Sequence, residues 1–413
     1  MPQYTAPTTT SSGSRSEQLS ADLIEAGKQR LAAGDISGGK RLFLRAELLC
    51  PESSGAQEGL ARVERRLGNL RTALAYAEAA LHSDPECTEA QLVAIWALKG
   101  LGDADAARRH LQDLLSRQPE LPRALYLLAH DGGDLDESLL AEKLKDADLP
   151  AADKRMLTLA LANVIEHSDN PARSVEVAHA AHAEEVFNYH PEFEQELLQR
   201  IREQIEPGSL GGGGGDAKAR PIFIVGSPHA GSSLVERALT PDQSVYRTGP
   251  TRALEQLCGN LPRCVGAPYP RSVVSLDAHT ASVLAGRYRN CAGLPKDTQA
   301  WTDRCPESVL YLPLALRLFP GAKIVHVTRE PVTAAHDCEL TCFDGIEAPY
   351  ARHADDYLTH QAFEVELMEL YKDVLPTPIV HVRYEDLVDS SLNAAADLRQ
   401  TLGLDVEQGP EAA

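Results

Sequence analysis

The chain has 413 residues, too many for one ordinary core, so two domains are expected. Its 43% hydrophobic content excludes a globally disordered chain, and its formal net charge of −20 opposes sequence-blind attraction to nucleic acid or anionic lipid. Any anionic ligand needs local devices instead: backbone N–H groups, a helix N-terminus, a few placed cations.

The opening MPQYTAPTTTSSGSRSEQ has no apolar h-region, so residues 1–17 are expected to form a disordered polar tail rather than a signal peptide. No apolar run of about 18 residues follows, so no membrane-spanning helix and a cytoplasmic location are expected. Eight cysteines occur without a CxxC pair. Cys338 and Cys342 share one helix face if the segment is helical, but no further ligands accompany them. Reduced, mostly buried thiols and no metal site are the expectation.

The N-terminal half repeats. Gly34, Gly68 and Gly102 are 34 residues apart, and so are Pro51, Pro85 and Pro119. That is the period of the tetratricopeptide repeat, one helix–turn–helix unit each time. The glycines fall at inter-helix turns (LAAGDIS, RLGNLRT, GLGDADA), and the prolines stop the second helix of each unit (LLCPESS, HSDPECT, SRQPELP). Small residues match at Ala46 and Ala80 and at Ala73 and Ala107, where helices approach closely. Residues 18–119 are therefore expected to be three helical repeats forming an α-helical solenoid. From 120 to 206 the helical pattern continues without the strict period, as helices capping the array. Such repeats offer a groove to a peptide or protein partner; a purely supporting role is the alternative.

Pro207, Gly208 and the run Gly211–Gly215 read as a flexible linker over 207–219. Then PIFIV, 221–225, is a short apolar run of β-formers, as in a buried parallel strand. It leads into Gly226-Ser-Pro-His-Ala-Gly-Ser-Ser233 and the helical LVERAL. Strand, glycine-bearing loop and helix N-terminus together aim N–H groups and a positive dipole end at an anion. The hydroxyls of Ser232 and Ser233 can add donors. The loop has no GK[ST], which argues against a P-loop nucleotidase.

RPIFIVGSPHAGSSLVERAL resembles the phosphosulfate loop of the tetratricopeptide-containing sulfotransferases, whose pattern is PIFIVGMPRSGTTLLEQIL. WTDRCPESVLYLPLALRLFPGAKIVHVTREP is similar to the family's TDKxPxNF helix and its strand AKIIHxRRDP. The segment 355–375 resembles the helix before the next strand, and PIVHVRYEDLVDS the strand with its YEDLV turn. The likeness runs from about Arg220 to Val388. It implies a P-loop-like α/β domain with a mainly parallel sheet over 220–413. It also implies sulfuryl transfer from 3′-phosphoadenosine 5′-phosphosulfate (PAPS) to a hydroxyl or amine.

On this resemblance, Gly226, Ala230, Gly231, Ser232 and Ser233 form the cofactor loop, and Arg329 grips the 3′-phosphate. Asp337 stands where the family has a Ser on the same phosphate, and a carboxylate there repels unless it turns away or is neutralised. His229 replaces the Arg that faces the transferring group, and it carries charge only as the imidazolium. Arg304 replaces the TDK lysine, with a planar fork in place of a point charge. Pro250 stands where the family's acidic base should follow Gly249. Glu255, close by in sequence, reads equally as a solvated helix position.

His326 and His381 lie in strand patterns and read as core or sheet-end histidines. His336, beside Asp337, is a candidate at the cofactor rim. Tyr384, Glu385 and Asp386 read as residues that fix a turn. The region 258–296 is the expected acceptor-binding part. The leading function is a PAPS-dependent sulfotransferase, with His229 and Arg304 in catalytic roles. The alternative is a catalytically impaired relative acting through its repeats as a binding or scaffold protein.

Overall fold

The computed structural model describes residues 12–168, 170–182, 189–210, 214–241, 244–343, 348–389 and 391–404. The chain divides into two compact units, 1–119 and 120–413.

In the first unit, six helices form three pairs: α1 (Ser12–Ala32) with α2 (Ile36–Leu49), α3 (Ser54–Arg66) with α4 (Leu70–Ser83), and α5 (Thr88–Leu101) with α6 (Ala104–Arg117). Helix α1 starts inside the segment expected to be a tail, whose residues 1–11 lie outside the described residues. The glycine ladder marks three equivalent turns, with φ of 79° at Gly34, 77° at Gly68 and 84° at Gly102. Each turn closes in the same way. Gly34, Gly68 and Gly102 donate to Leu31, Arg65 and Lys99, and the next residue reaches back to Arg30, Glu64 and Leu98. This left-handed helix end costs any side-chain-bearing residue strain, which is why glycine recurs there.

A second ladder, not noticed in the sequence, runs beside the first. Ser20 Oγ donates to Ala46 O and Ser54 Oγ to Ala80 O, both at 3.2 Å, again one repeat apart. Phe43 fills the gap between the first two units, where a Cβ on Gly27 or Gly59 would lie within 2.8 or 2.3 Å of its ring.

The second unit begins with helices α7 (Pro122–His130), α8 (Glu137–Lys143), α9 (Ala151–Glu166), α10 (Pro171–His182) and α11 (Pro191–Gln204). The sequence reading assigned them to the array as a cap; by contacts they group with the α/β domain. Long-range bonds show why: Asn163 Nδ2 donates to Leu340 O at 2.9 Å, and Cys342 N to Tyr126 Oη at 2.8 Å.

The glycine run also differs from a free linker. Residues 211–213 lie outside the described residues, but Gly214 and Gly215 are packed tightly against the domain. A Cβ on Gly214 would stand 2.5 Å from Ala278 Cα, and one on Gly215 2.2 Å from Leu318 O. Glycine is needed at these two positions for close approach of backbones, not for slack.

Five parallel strands follow: β1 (Arg220–Val225), β2 (Tyr246–Arg247), β3 (Ala300–Asp303), β4 (Lys323–Thr328) and β5 (Ile379–Arg383), in the order β2-β3-β1-β4-β5. Alternate residues serve opposite faces. Phe223, Val225 and Ile324 join the core under α11 and the helices 253–265, 278–291 and 354–374. Ile222, Ile224, Val325 and Val327 pack with Val235 and Leu239 of α12 (Ser232–Leu239) and with Leu398 and Leu402. Both faces are covered, as a parallel sheet requires.

Candidate active site

All five strands run the same way, so their carboxyl ends share one rim. The residue after β1 is Gly226, after β3 Arg304, after β4 Arg329 and after β5 Tyr384. Strands β1 and β4 are neighbours, with Val225 opposite His326. The loop and Arg329 therefore leave the sheet side by side. The crevice beyond the carboxyl ends at such a crossing is where open α/β sheets bind ligands.

The loop is built on three positive φ values: Gly226 at 146°, His229 at 62° and Gly231 at 100°. A Cβ on Gly226 would lie 2.2 Å from Val327 O, and one on Gly231 2.4 Å from the Tyr384 ring. The turn folds Ala230 N back onto Ser227 O at 3.1 Å, so that amide points into the loop and not toward a ligand. The amides of Gly231, Ser232 and Ser233 stand at the head of α12, where no side chain caps the helix. The first amides of a helix have no intrahelical partner, and their dipole end favours an anion.

Arg329 reaches this loop. Its Nη1 donates to Asp337 Oδ2 at 2.7 Å and to His229 O at 3.1 Å, and its guanidinium lies 4.7 Å from the centre of the Tyr384 ring. Asp337 neither turns away nor stands free: it is paired with the very cation expected to hold a phosphate.

His229 does not replace a guanidinium. Thr341 Oγ1 donates to Asp337 O at 2.8 Å, so at 3.0 Å it accepts from Nε2–H of His229, and the ring sits edge-on to Phe343. Burial pushes the imidazole down to about 4, against the pull of Asp337. At neutral pH it is uncharged and directed away from the α12 amides, which overturns the expectation of an imidazolium at the transferring group.

Residues 221–408 match the sulfotransferase family, and residues 64–130 match the tetratricopeptide repeat. Residues 221–408 are a sulfotransferase-family domain. A curated relative, an uncharacterized protein of Aquifex aeolicus, is 23% identical over 250 residues, 58% of this chain and 33% of that protein. The chain thus spans about a third of the length of that relative. A sulfotransferase of Alicyclobacillus acidocaldarius aligns at 16% identity over 47% of this chain and 88% of its own, with a TM-score of 0.30. A sulfotransferase of Mycobacterium tuberculosis aligns at 15% identity over 69% of this chain and 89% of its own, with a TM-score of 0.31.

Within the sulfotransferase domain, Arg304 is drawn under α12. Its Nε donates to Glu236 Oε2 at 2.8 Å, and that fully buried carboxylate also receives Thr302 Oγ1 at 2.7 Å and faces Arg247 at 3.5 Å. The pair pins the loop's helix to the ends of β2 and β3. Next to it the Asp303 carboxyl, held by Thr251 Oγ1 at 2.8 Å and by Tyr288 Oη, is raised to about 6 by burial. Glu255 is bound by Arg252 at 2.6 Å. His336 faces Glu166 of α9 at 2.9 Å rather than the rim. Glu385 accepts from Glu330 N at 2.8 Å and so ties the turn after β5 to the turn after β4.

Beneath the loop lies a buried polar chain that the sequence reading missed. Ser227 Oγ donates to Glu364 Oε2 at 2.5 Å, His326 Nε2 bonds Glu364 Oε1 at 2.8 Å, and His360 stands 3.9 Å from the same carboxylate. His360 Nδ1 continues to Glu194 of α11 at 2.6 Å, and His326 Nδ1 meets His381 Nδ1 at 3.2 Å. One signal was present. Glu364 sits on the helical stripe Tyr357, His360, Leu367, Tyr371, whose other members face the core. Elsewhere in the second unit a cleft of about 560 Å³, lined by Arg123, Lys154, Arg155 and Ala181, lies among the helices and away from the loop.

Proposed function

We propose that this domain transfers a sulfuryl group from a nucleotide 5′-phosphosulfate to a hydroxyl or amine, PAPS being the donor that the family resemblance implies. The observation that carries the reading is the shared rim: the uncapped head of α12 and Arg329 arrive together from adjacent strands. In the reaction a bond forms between the acceptor atom and sulfur. The bond from sulfur to the bridging oxygen breaks, its electron pair leaving on the 5′-phosphate. The α12 amides suit the charge that grows there. The acceptor's proton goes to solvent, since Pro250 offers no base at the position where the resemblance places one. The repeats of the first unit supply a surface for a peptide or protein partner.

The test is calorimetric titration of the full chain with adenosine 5′-phosphosulfate and with PAPS. At least one should bind, and Gly231→Val, which drives a side chain into Tyr384, should weaken it at least tenfold. A folded wild-type chain that binds neither at millimolar concentration would remove the reading. A second reading, an impaired relative serving as a binding protein, is favoured by the neutral His229 and by Arg304's engagement with Glu236. It requires nucleotide binding, if any, without release of desulfated nucleotide.

A further inference from the structure

The residues at the rim suit a 5′-phosphate but not a second phosphate, and this disagreement is informative. Arg329 is the cation at the loop, and Asp337 already neutralises it at 2.7 Å. His229 contributes its carbonyl there rather than a charge. The neighbouring groups are mainly acidic. Glu330 precedes the helix Pro331–Glu339, and Glu385 bonds its backbone N–H at 2.8 Å, with Arg383 3.7 Å from Glu385. A phosphate brought to Arg329 would meet Asp337, Glu330 and Glu385 and would have to displace Asp337 from the guanidinium. A carboxylate accepts hydrogen bonds and donates none, so its natural partner on a nucleotide is a sugar hydroxyl. Dinucleotide sites show the same division: an acidic residue accepts from a free ribose hydroxyl, whereas an Arg accommodates a phosphate at that carbon.

We propose that Asp337, held on Arg329, selects a nucleotide donor with an unphosphorylated ribose, adenosine 5′-phosphosulfate rather than PAPS. The inference rests on the reading above, in which Arg329 faces the ribose 3′ position. Asp337 acts as an internal stand-in for the 3′-phosphate: it satisfies the guanidinium, leaves the Arg329 stack on Tyr384 in place, and offers its carboxylate, about one-third exposed, to a 3′-hydroxyl.

The experiment titrates the full-length wild type, Asp337→Ser and Asp337→Asn with two probes, adenosine 5′-monophosphate and 3′-phosphoadenosine 5′-phosphate. Wild type should bind the monophosphate at least about tenfold more tightly, the scale of one hydrogen bond to a charged group set against a repelled phosphate. Both variants should reverse that order. The Asn variant keeps the shape of the side chain, so a reversal there assigns the effect to charge. If wild type prefers the bisphosphate, or if the variants leave the ratio unchanged, Asp337 does not select the ribose, while the nucleotide-transfer reading stands. If a folded wild type binds neither probe at millimolar concentration, that reading fails and takes this one with it.

Discussion

Replacing Glu364 with Leu should destabilise the second unit more than the size of the change suggests. The carboxylate is 3% exposed, and the three groups that meet it, Ser227, His326 and His360, are each no more than 4% exposed. Leucine removes two strong bonds, at 2.5 and 2.8 Å, and leaves a buried hydroxyl and a buried imidazole without their acceptor. Each orphaned group costs about 1–3 kcal/mol, and breaking a buried charged pair from one side costs about 3–5 kcal/mol. We therefore expect a loss of about 3–5 kcal/mol, or a fall of about 6–20 °C in Tm for a domain of this size. Glu364→Gln, which keeps an acceptor for Ser227, should lose less than half as much. Its hydrogen bonds and the nearby histidines hold the Glu364 carboxyl below its ordinary value despite burial. Its contribution is thus complete above the unfolded carboxyl value near 4.3 and fades as pH falls through the folded value. Differential scanning calorimetry of the full chain at pH 7 and pH 4 reads both effects. A loss below about 1 kcal/mol at pH 7 would show that the polar chain does not hold the loop.

Three other outcomes follow from particular residues. His229, with its value lowered to about 4, should stay neutral by NMR titration from pH 8 to about pH 5; the stability it confers is complete above the unfolded value near 6.5 and declines as pH falls toward 4. An imidazole that titrates near its ordinary value would contradict the burial argument. Gly68→Val, forced to hold φ near 77°, should cost about 1–2 kcal/mol in the first unit, and an unchanged Tm would refute the turn assignment. His229→Arg with Asp337→Ser should raise affinity for PAPS at least about tenfold in calorimetry, the scale of a guanidinium–phosphate bond; no gain would show that the rim is not a drifted phosphate site.

The parts legible in the sequence were those that the backbone dictates locally. A left-handed helix end needs glycine at Gly34, Gly68 and Gly102, so the repeat can be counted. PIFIV and its loop mark β1 and α12 because strand, turn and helix each use their own residue types. Side-chain direction was not legible. Whether His229 faces a ligand or Thr341 depends on a partner 112 residues away, and the grip of Glu364 on Ser227 spans 137. Glu236 looked like one charge in an amphipathic helix, and only the arrival of Arg304 and Thr302 at the ends of strands makes it a fixed point. Gly214 and Gly215 resemble a linker by composition, and their role appears only once Ala278 and Leu318 press against them.

The central claim is that the head of α12 and Arg329 form one nucleotide site. Crystals of the full chain grown with adenosine 5′-phosphosulfate test it most directly. The account expects the 5′-phosphate within hydrogen-bond distance of the amides of Ser232 and Ser233, with the ribose beside Asp337 and Arg329. Nucleotide density elsewhere, with that rim empty at saturating ligand, would contradict it.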